Sequence, residues 1–150
     1  MAERLLSTSQ STIRILFANG DAAFTRRATR ILQKWDGAVI VANVGSEDQV
    51  LTRVEELQPD VVLVDLAIPD MAGLHLVTRL RTMLPQVGIV ALTALGLDNQ
   101  GWAVAAAGAD AVVSKTAIRT DLLPAVYWVA QSKARSRNGS TTPGGPPCDS

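Results

Sequence analysis

Short apolar runs rich in β-branched residues recur five times along this chain, and they limit the folds that it can adopt. They cover residues 13–18, 38–44, 61–65, 87–93 and 111–115. Runs that are this short and this continuously apolar are typical of strands covered on both faces. Because a parallel sheet between two layers of helices covers its strands in this way, the runs predict such a sheet.

The segments between the runs have the features of helices. In the first segment an apolar face forms at helical spacing, made of Phe24, Ala28, Ile31, Leu32 and Trp35. Ser46 is suited to cap a second helix that ends before Pro59. A third helix is predicted over 73–82, and a fourth over 98–107 ends at Gly108.

A fifth helix is predicted over 120–131, with Thr120 as its cap. Strands that alternate with helices in this way predict an α/β domain with a doubly wound sheet and right-handed crossovers. We expect residues 12–131 to form this domain. We expect residues 1–11 to be disordered, and residues 132–150, which are polar and rich in Gly and Pro, to be a disordered tail or a truncated linker.

Composition points to a cytoplasmic, water-soluble protein. Of the 150 residues 47% are hydrophobic, and 14 Lys and Arg balance 14 Asp and Glu, so charge gives no broad reason to expect nucleic-acid or membrane binding. The sequence contains no apolar run long enough to span a bilayer and no secretory signal at its start. Cys148 is the one cysteine, so no intrachain disulfide is expected.

Polar side chains mark the ends of the predicted strands. Asn19 and Asp21 follow the first, Asp65 ends the third, Thr93 ends the fourth, and Lys115 ends the fifth. Doubly wound sheets bind their ligands at the carboxyl ends of the strands, where these residues converge. Asp65 follows four apolar residues, and an ionised carboxylate there is costly without partners. The convergence predicts that Thr93 and Lys115 are those partners.

Three motifs in this order resemble the receiver domain of bacterial two-component response regulators. They are V-D-L-x-x-P-x-x-x-G at 64–73, A-L-T-A at 91–94 and G-A-D-A-V-V-S-K at 108–115, and the resemblance extends over 12–131. The opening I-R-I-L-F together with Phe24 is most similar to receivers that precede helix-turn-helix output domains. The resemblance implies a flavodoxin-like five-stranded parallel sheet in strand order 2-1-3-4-5, with helices on both faces.

The resemblance also implies a function. Asp65 would accept a phosphoryl group from a histidine kinase, Lys115 and Mg²⁺ would neutralise its charge, and Thr93 would donate a hydrogen bond to it. The signal would leave through the face formed by helix 4, strand 5 and helix 5. Such a domain is a regulatory phosphoacceptor and no enzyme, beyond self-phosphotransfer and slow self-dephosphorylation.

The metal site is where the sequence departs from the family. The resemblance implies Asp65, the backbone carbonyl of Ala67 and Asn19 as Mg²⁺ ligands, and Asp21 would join them if the backbone at Gly20 bends back. Receivers normally carry two adjacent acids after strand one, and Asn19 and Gly20 stand at those positions here. Because Mg²⁺ is usually held by one or two carboxylates, we expect weak metal binding.

A second departure leaves an alternative open. Val112 occupies the position of the aromatic residue that rotates during signalling in other receivers. Together with the missing acids, this favours a pseudo-receiver, a protein-binding module that is independent of phosphorylation. Retention of Asp65, Thr93 and Lys115 favours the working receiver.

The partners expected are a histidine kinase or phosphotransfer protein and a downstream protein or missing output domain. A homodimer through helix 4, strand 5 and helix 5 would use the aromatic residues Trp102, Tyr127 and Trp128. We expect no direct contact with nucleic acid and none with a membrane. Doubly wound domains also carry flavin, cobalamin or nucleotides. The sequence has neither a Gly-rich phosphate loop nor an Asp-x-His-x-x-Gly segment of the cobalamin type.

Overall fold

The structure, a computed structural model, describes residues 12–19, 21–66, 72–94 and 101–139. The predicted disordered segment 1–11 and the last part of the tail, residues 140–150, lie outside the described residues. Five parallel strands form one sheet in the order β2-β1-β3-β4-β5, as expected. The strands are β1 (Ile13–Ala18), β2 (Ala38–Val44), β3 (Val61–Asp65), β4 (Gly88–Thr93) and β5 (Ala111–Ser114).

Helices cover both faces of this sheet and create two apolar layers. They are α1 (Ala22–Gln33), α2 (Glu47–Leu57), α3 (Ala72–Met83), α4 (Gly101–Ala107) and α5 (Ile118–Gly139). Residues that alternate along each strand point to opposite faces. Phe17 and Leu63 accordingly pack in the layer under α1 and α5, whereas Leu16 and Val62 pack in the layer under α2 and α3.

The boundaries of the second and fourth helices agree with the signals in the sequence. The hydroxyl of Ser46 accepts a hydrogen bond from the amide of Gln49 at 3.4 Å, which caps α2. That helix ends at Leu57, before Pro59. Gly108 follows α4 with a φ of +123°, a left-handed conformation that glycine adopts without steric cost.

Thr120 is not the cap of the fifth helix, so this prediction was wrong. A short 3₁₀ turn (Lys115–Ala117) follows β5, and α5 then begins at Ile118. The hydroxyl of Ser114 accepts a hydrogen bond from the amide of Thr116 at 3.3 Å and caps this turn. Thr120 lies inside the helix, where its hydroxyl donates to the carbonyl of Ala117.

The far end of α5 also differs from the prediction. The helix was expected to end at residue 131, yet it continues to Gly139, so residues 132–139 of the predicted tail are helical. Lys133 anchors this extension because its ammonium lies 3.1 Å from Oδ1 of Asp110, at the start of β5. The segment also contains Lys, Ala and Arg, which have high helix propensity.

Two arginine residues stabilise the amino-terminal edge of the sheet, which lies opposite the edge where Asp65 is located. The amide of Arg14, in β1, donates to Oδ2 of Asp60 at 2.8 Å, and its guanidinium donates to the carbonyls of Leu57 and Gln58 at the end of α2. β1 and β3 are thereby joined at their amino-terminal ends.

Arg81, on α3, fastens the neighbouring strands. Its guanidinium donates to the carbonyls of Gly108, Pro85 and Val87 at 3.0, 2.8 and 2.8 Å. It also forms an ion pair of 2.6 Å with Oδ2 of Asp110, the same oxygen that accepts the amide of Ile89. The first residues of β4 and β5 are therefore held by one side chain.

The start of α3 packs directly on the backbone that follows β3. A Cβ at Gly73 would lie 2.6 Å from Cα of Leu66 and 3.0 Å from the carbonyl oxygen of Asp65. Only a glycine fits this approach without a shift of the backbone, so Gly73 allows α3 to pack closely against Asp65 and Leu66.

Candidate functional site

Asp65 ends the central strand β3 and is only 3% exposed, yet two donors meet its carboxylate. The ammonium of Lys115 lies 2.7 Å from Oδ2, and the side-chain amide of Asn19 donates to the same oxygen at 2.9 Å. A buried carboxylate is tolerated when it is paired and hydrogen-bonded. The partner predicted for Asp65 on strand five is therefore in direct contact with it.

Lys115 has a second contact, which the sequence analysis did not anticipate. Its ammonium lies 4.8 Å from the centroid of the Phe24 ring, a cation–π geometry. Phe24 is buried in the first turn of α1 and meets Phe17 of β1 edge to face, with centroids 6.1 Å apart. The ring of Phe24, which packs against Phe17, therefore lies beside the ammonium of Lys115. The one signal for this contact was an aromatic residue early in the first helix.

Asn19 directly follows β1 and is 1% exposed. Its backbone amide donates to the carbonyl of Val44 at 3.0 Å, which ties it to β2. Its side-chain oxygen accepts the backbone amide of Asp21, while its side-chain nitrogen donates to Asp65. Both ends of the amide are thus in use, and the oxygen is turned away from Asp65.

Asp21 is exposed and serves as the amino-terminal cap of α1. Its Oδ1 accepts hydrogen bonds from the backbone amides of Ala23 at 3.0 Å and Phe24 at 3.2 Å. An Asp at this position satisfies free amides of the first turn and interacts favourably with the helix dipole.

Replacing Asp21 by alanine should lower the free energy of unfolding by about 1 kcal/mol, because the two amides lose their acceptor. Asp21→Ser keeps an acceptor but removes the charge, so most of the stability should return. Urea unfolding of both variants measures this. A Ser variant as unstable as the Ala variant would show that charge, and not capping, is what Asp21 supplies to the fold.

Thr93 lies at the same edge of the sheet. It ends β4, which is hydrogen-bonded to β3 in a register that pairs Leu92 with Asp65, and its side chain is buried. The structure therefore brings Asp65, Lys115 and Asn19 into contact and places Thr93 on the adjacent strand end. Ala67 lies outside the described residues.

Comparisons with known proteins agree with this geometry. The family model of the response regulator receiver domain matches residues 15–127. The chain belongs to the response regulator receiver domain family. Response regulator protein VraR of Staphylococcus aureus is 28% identical over 123 residues, which cover 82% of this chain and 59% of VraR. This receiver domain thus spans little more than half of that relative's length.

Solved structures share the fold. A two-component response regulator of the LuxR family from Aurantimonas sp. SI85-9A1 has a TM-score of 0.74 and 22% identity, over 85% of this chain and 99% of that chain. The receiver domain of NarL from Mycobacterium tuberculosis has a TM-score of 0.73 and 21% identity, over 81% and 98%. The predicted resemblance to response regulator receiver domains is therefore confirmed, and these structures show the same fold.

Receiver domains generally bind Mg²⁺ at an acidic phosphorylation site, but the described residues here do not fit that ion. Asp65 is the one buried carboxylate among them, and its Oδ2 already has two donors. The oxygens of Asn19 and Asp21 just described accept backbone amides. Within the same part of the chain no three His, Cys, Asp or Glu residues cluster as metal ligands would. Metal ligation by Asn19, Asp21 and Ala67 stays a prediction.

Two aromatic residues of α5 are exposed, and one of them contacts the segment that follows α1. Tyr127 and Trp128 are 50% and 59% exposed. The Tyr127 ring meets Trp35, which follows α1, edge to face at 5.5 Å, so it belongs to the α1 side of the helix. The side chain of Trp102 lies outside the described residues. The homodimer through α4, β5 and α5 stays a prediction.

Val112 is half-buried in β5, opposite Ala91.

No helix within the described ranges is both long and apolar enough to cross a membrane.

Proposed function

We propose that this receiver domain accepts a phosphoryl group on Asp65 from the phosphohistidine of a histidine kinase or phosphotransfer protein. The observation that carries the proposal is the contact between Asp65 and Lys115 at the carboxyl edge of the sheet, 2.7 Å apart. A carboxylate is a nucleophile that needs no general base, and the ammonium beside it supplies charge that a transferred phosphoryl group requires.

The transfer is a displacement at phosphorus. An oxygen of Asp65 forms a bond to phosphorus while the phosphorus–nitrogen bond to the donor imidazole breaks, and the imidazole leaves with its electron pair. The phosphoryl oxygens bring more negative charge than the free carboxylate had. Lys115, 2.7 Å from Asp65, would follow that charge, and Thr93, at the end of the neighbouring strand β4, would donate its hydroxyl to a phosphoryl oxygen.

The output of the domain follows from the change at Thr93 and Lys115. Both residues border β5, so their movement towards the phosphoryl group alters the face formed by α4, β5 and α5. Val112 lacks a ring that rotates, so the signal depends on backbone and Thr93 movement alone. We place the domain in the cytoplasm with its phosphodonor.

The downstream partner is a protein or an output domain. One structural relative is a DNA-binding response regulator of the LuxR family from Staphylococcus aureus. By analogy, we propose a DNA-binding output domain as the partner. The expectation that the chain makes no direct contact with nucleic acid has no support among these relatives.

Incubation with acetyl phosphate should give one phosphoryl adduct, which intact mass spectrometry detects. The matched control is Asp65→Asn, which keeps the shape of the side chain and removes the nucleophile, and it should give no adduct. An adduct that persists in Asp65→Asn would place phosphorylation elsewhere. Folded wild-type protein that never gains an adduct would refute the proposal and favour the phosphorylation-independent module.

A further inference from the structure

We infer that Asn19 takes the place of a divalent cation beside Asp65, so that phosphotransfer to this receiver domain proceeds without Mg²⁺. The inference rests on the proposed function, since it concerns how the same carboxylate is served. Its basis is the misfit between the described residues and a metal site, and the direct hydrogen bond from Asn19 that stands in its place.

Asn19 contacts the side chain of Asp65 directly. An acid at position 19 would face the carboxylate of Asp65 as a like charge, and a cation between the two would be needed to hold both. The amide of Asn19 instead donates straight to Oδ2 of Asp65 at 2.9 Å. A donor at this position needs no ion to bridge it to a carboxylate.

The side-chain amide of Asn19 has one orientation. Its oxygen accepts the backbone amide of Asp21, an interaction open only to the carbonyl end of the side chain. The NH₂ group must then face Asp65. Because Asn19 is 1% exposed and its backbone is tied to Val44, the donor is held in place before any phosphodonor arrives.

The negative charge of the transferred phosphoryl group must also be stabilised. As the phosphoryl group bonds to Asp65 and the donor imidazole leaves, its oxygens need partners. Lys115 supplies one full positive charge, and its contact with Phe24 keeps the ammonium close. Asn19 supplies a second N–H. One cation and one neutral donor stabilise this charge less than two cations do, so the reaction is slower than in receivers with a metal but does not depend on one.

The experiment compares wild type with Asn19→Asp, which restores an acid without changing the shape of the side chain. The rate of adduct formation from acetyl phosphate is measured by intact mass in excess Mg²⁺ and in excess EDTA. Wild type should change by less than about twofold. Asn19→Asp should lose at least roughly tenfold in EDTA, the scale on which changes around a metal site act.

A readout independent of phosphorylation comes from calorimetric titration with MgCl₂. Asn19→Asp should bind the ion, and wild type should bind it at least roughly tenfold more weakly. Gln33→Glu, which adds the same charge at the exposed last residue of α1, the end of that helix opposite to Asp21, is the control and should behave as wild type in both measurements.

The outcomes separate the inference from the function. Wild type that is phosphorylated only with Mg²⁺ overturns the inference and leaves the proposed function intact. Wild type that gains no adduct in either buffer while remaining folded overturns both. If Asn19→Asp does not fold, the wild-type comparison of Mg²⁺ with EDTA still decides the inference.

Discussion

Replacing Lys115 by methionine should lower the free energy of unfolding by about 3 kcal/mol, the scale expected when one partner of a buried ion pair is removed. Methionine keeps most of the apolar length of the side chain, so the loss reports the ammonium. Asp65, which is 3% exposed, would then lose the ammonium at Oδ2 and keep the hydrogen bond from the neutral amide of Asn19. Chemical unfolding in urea, monitored by tryptophan fluorescence, measures the difference.

A second variant also removes the negative charge of Asp65. Asp65→Asn in the Lys115→Met background makes the site neutral, and most of the lost stability should return. Lys34→Met, on an exposed lysine beyond the end of α1, is the control and should change stability by less than about 0.5 kcal/mol. If the double variant is as unstable as Lys115→Met, the loss stems from packing against Phe24 and not from the lost ion pair with Asp65.

Replacing Arg81 by methionine should cost about 2–4 kcal/mol, since a charged hydrogen-bond network at the start of β4 and β5 is lost at once. The guanidinium serves the carbonyls of Gly108, Pro85 and Val87 and the carboxylate of Asp110. Asp110 keeps Lys133 and the amide of Ile89, which limits the damage. Thermal and urea unfolding should both report the loss.

The matched control lies two residues earlier on the same helix. Arg79 is exposed and has one ion pair, at 3.0 Å to Glu47, so Arg79→Met should cost less than about 1 kcal/mol. Equal losses in the two variants would mean that the network of Arg81 adds nothing beyond ordinary helix surface.

The sequence was most informative about the strands. Continuous apolar runs covered on both faces leave little freedom, and β1, β2 and β3 have the predicted bounds. The end of α5 was mistaken because Lys133 is held by Asp110, a contact between residues that are far apart in the sequence. The prediction of Thr120 as the cap was wrong because a 3₁₀ turn begins at Lys115 and the helix then starts at Ile118, closer to β5.

For the site, the rule that strand ends converge was enough to bring Lys115 to Asp65. It did not predict what Asn19 does there. The resemblance suggested oxygen ligands for a metal at this position. An amide is a poor replacement for a carboxylate in that role. The orientation that makes the amide a donor depends on the backbone of Asp21, and a residue pattern does not contain that geometry.

Side-chain hydrogen bonds join β1 to β3 at both ends of the strand pair, and this affects how the chain folds during synthesis. Arg14 bonds to Asp60 at one end of this strand pair and Asn19 to Asp65 at the other, each across 46 residues of chain. Non-local parallel pairing of this kind pays its loop-closure entropy before the contacts form, and it slows folding. During synthesis Asp65 leaves the ribosome well before Lys115 does. A nascent chain therefore carries Asp65 with no ammonium beside it, and the ion pair on which the proposed phosphoryl transfer depends forms only when β5 has joined the sheet and brought Lys115 to Asp65.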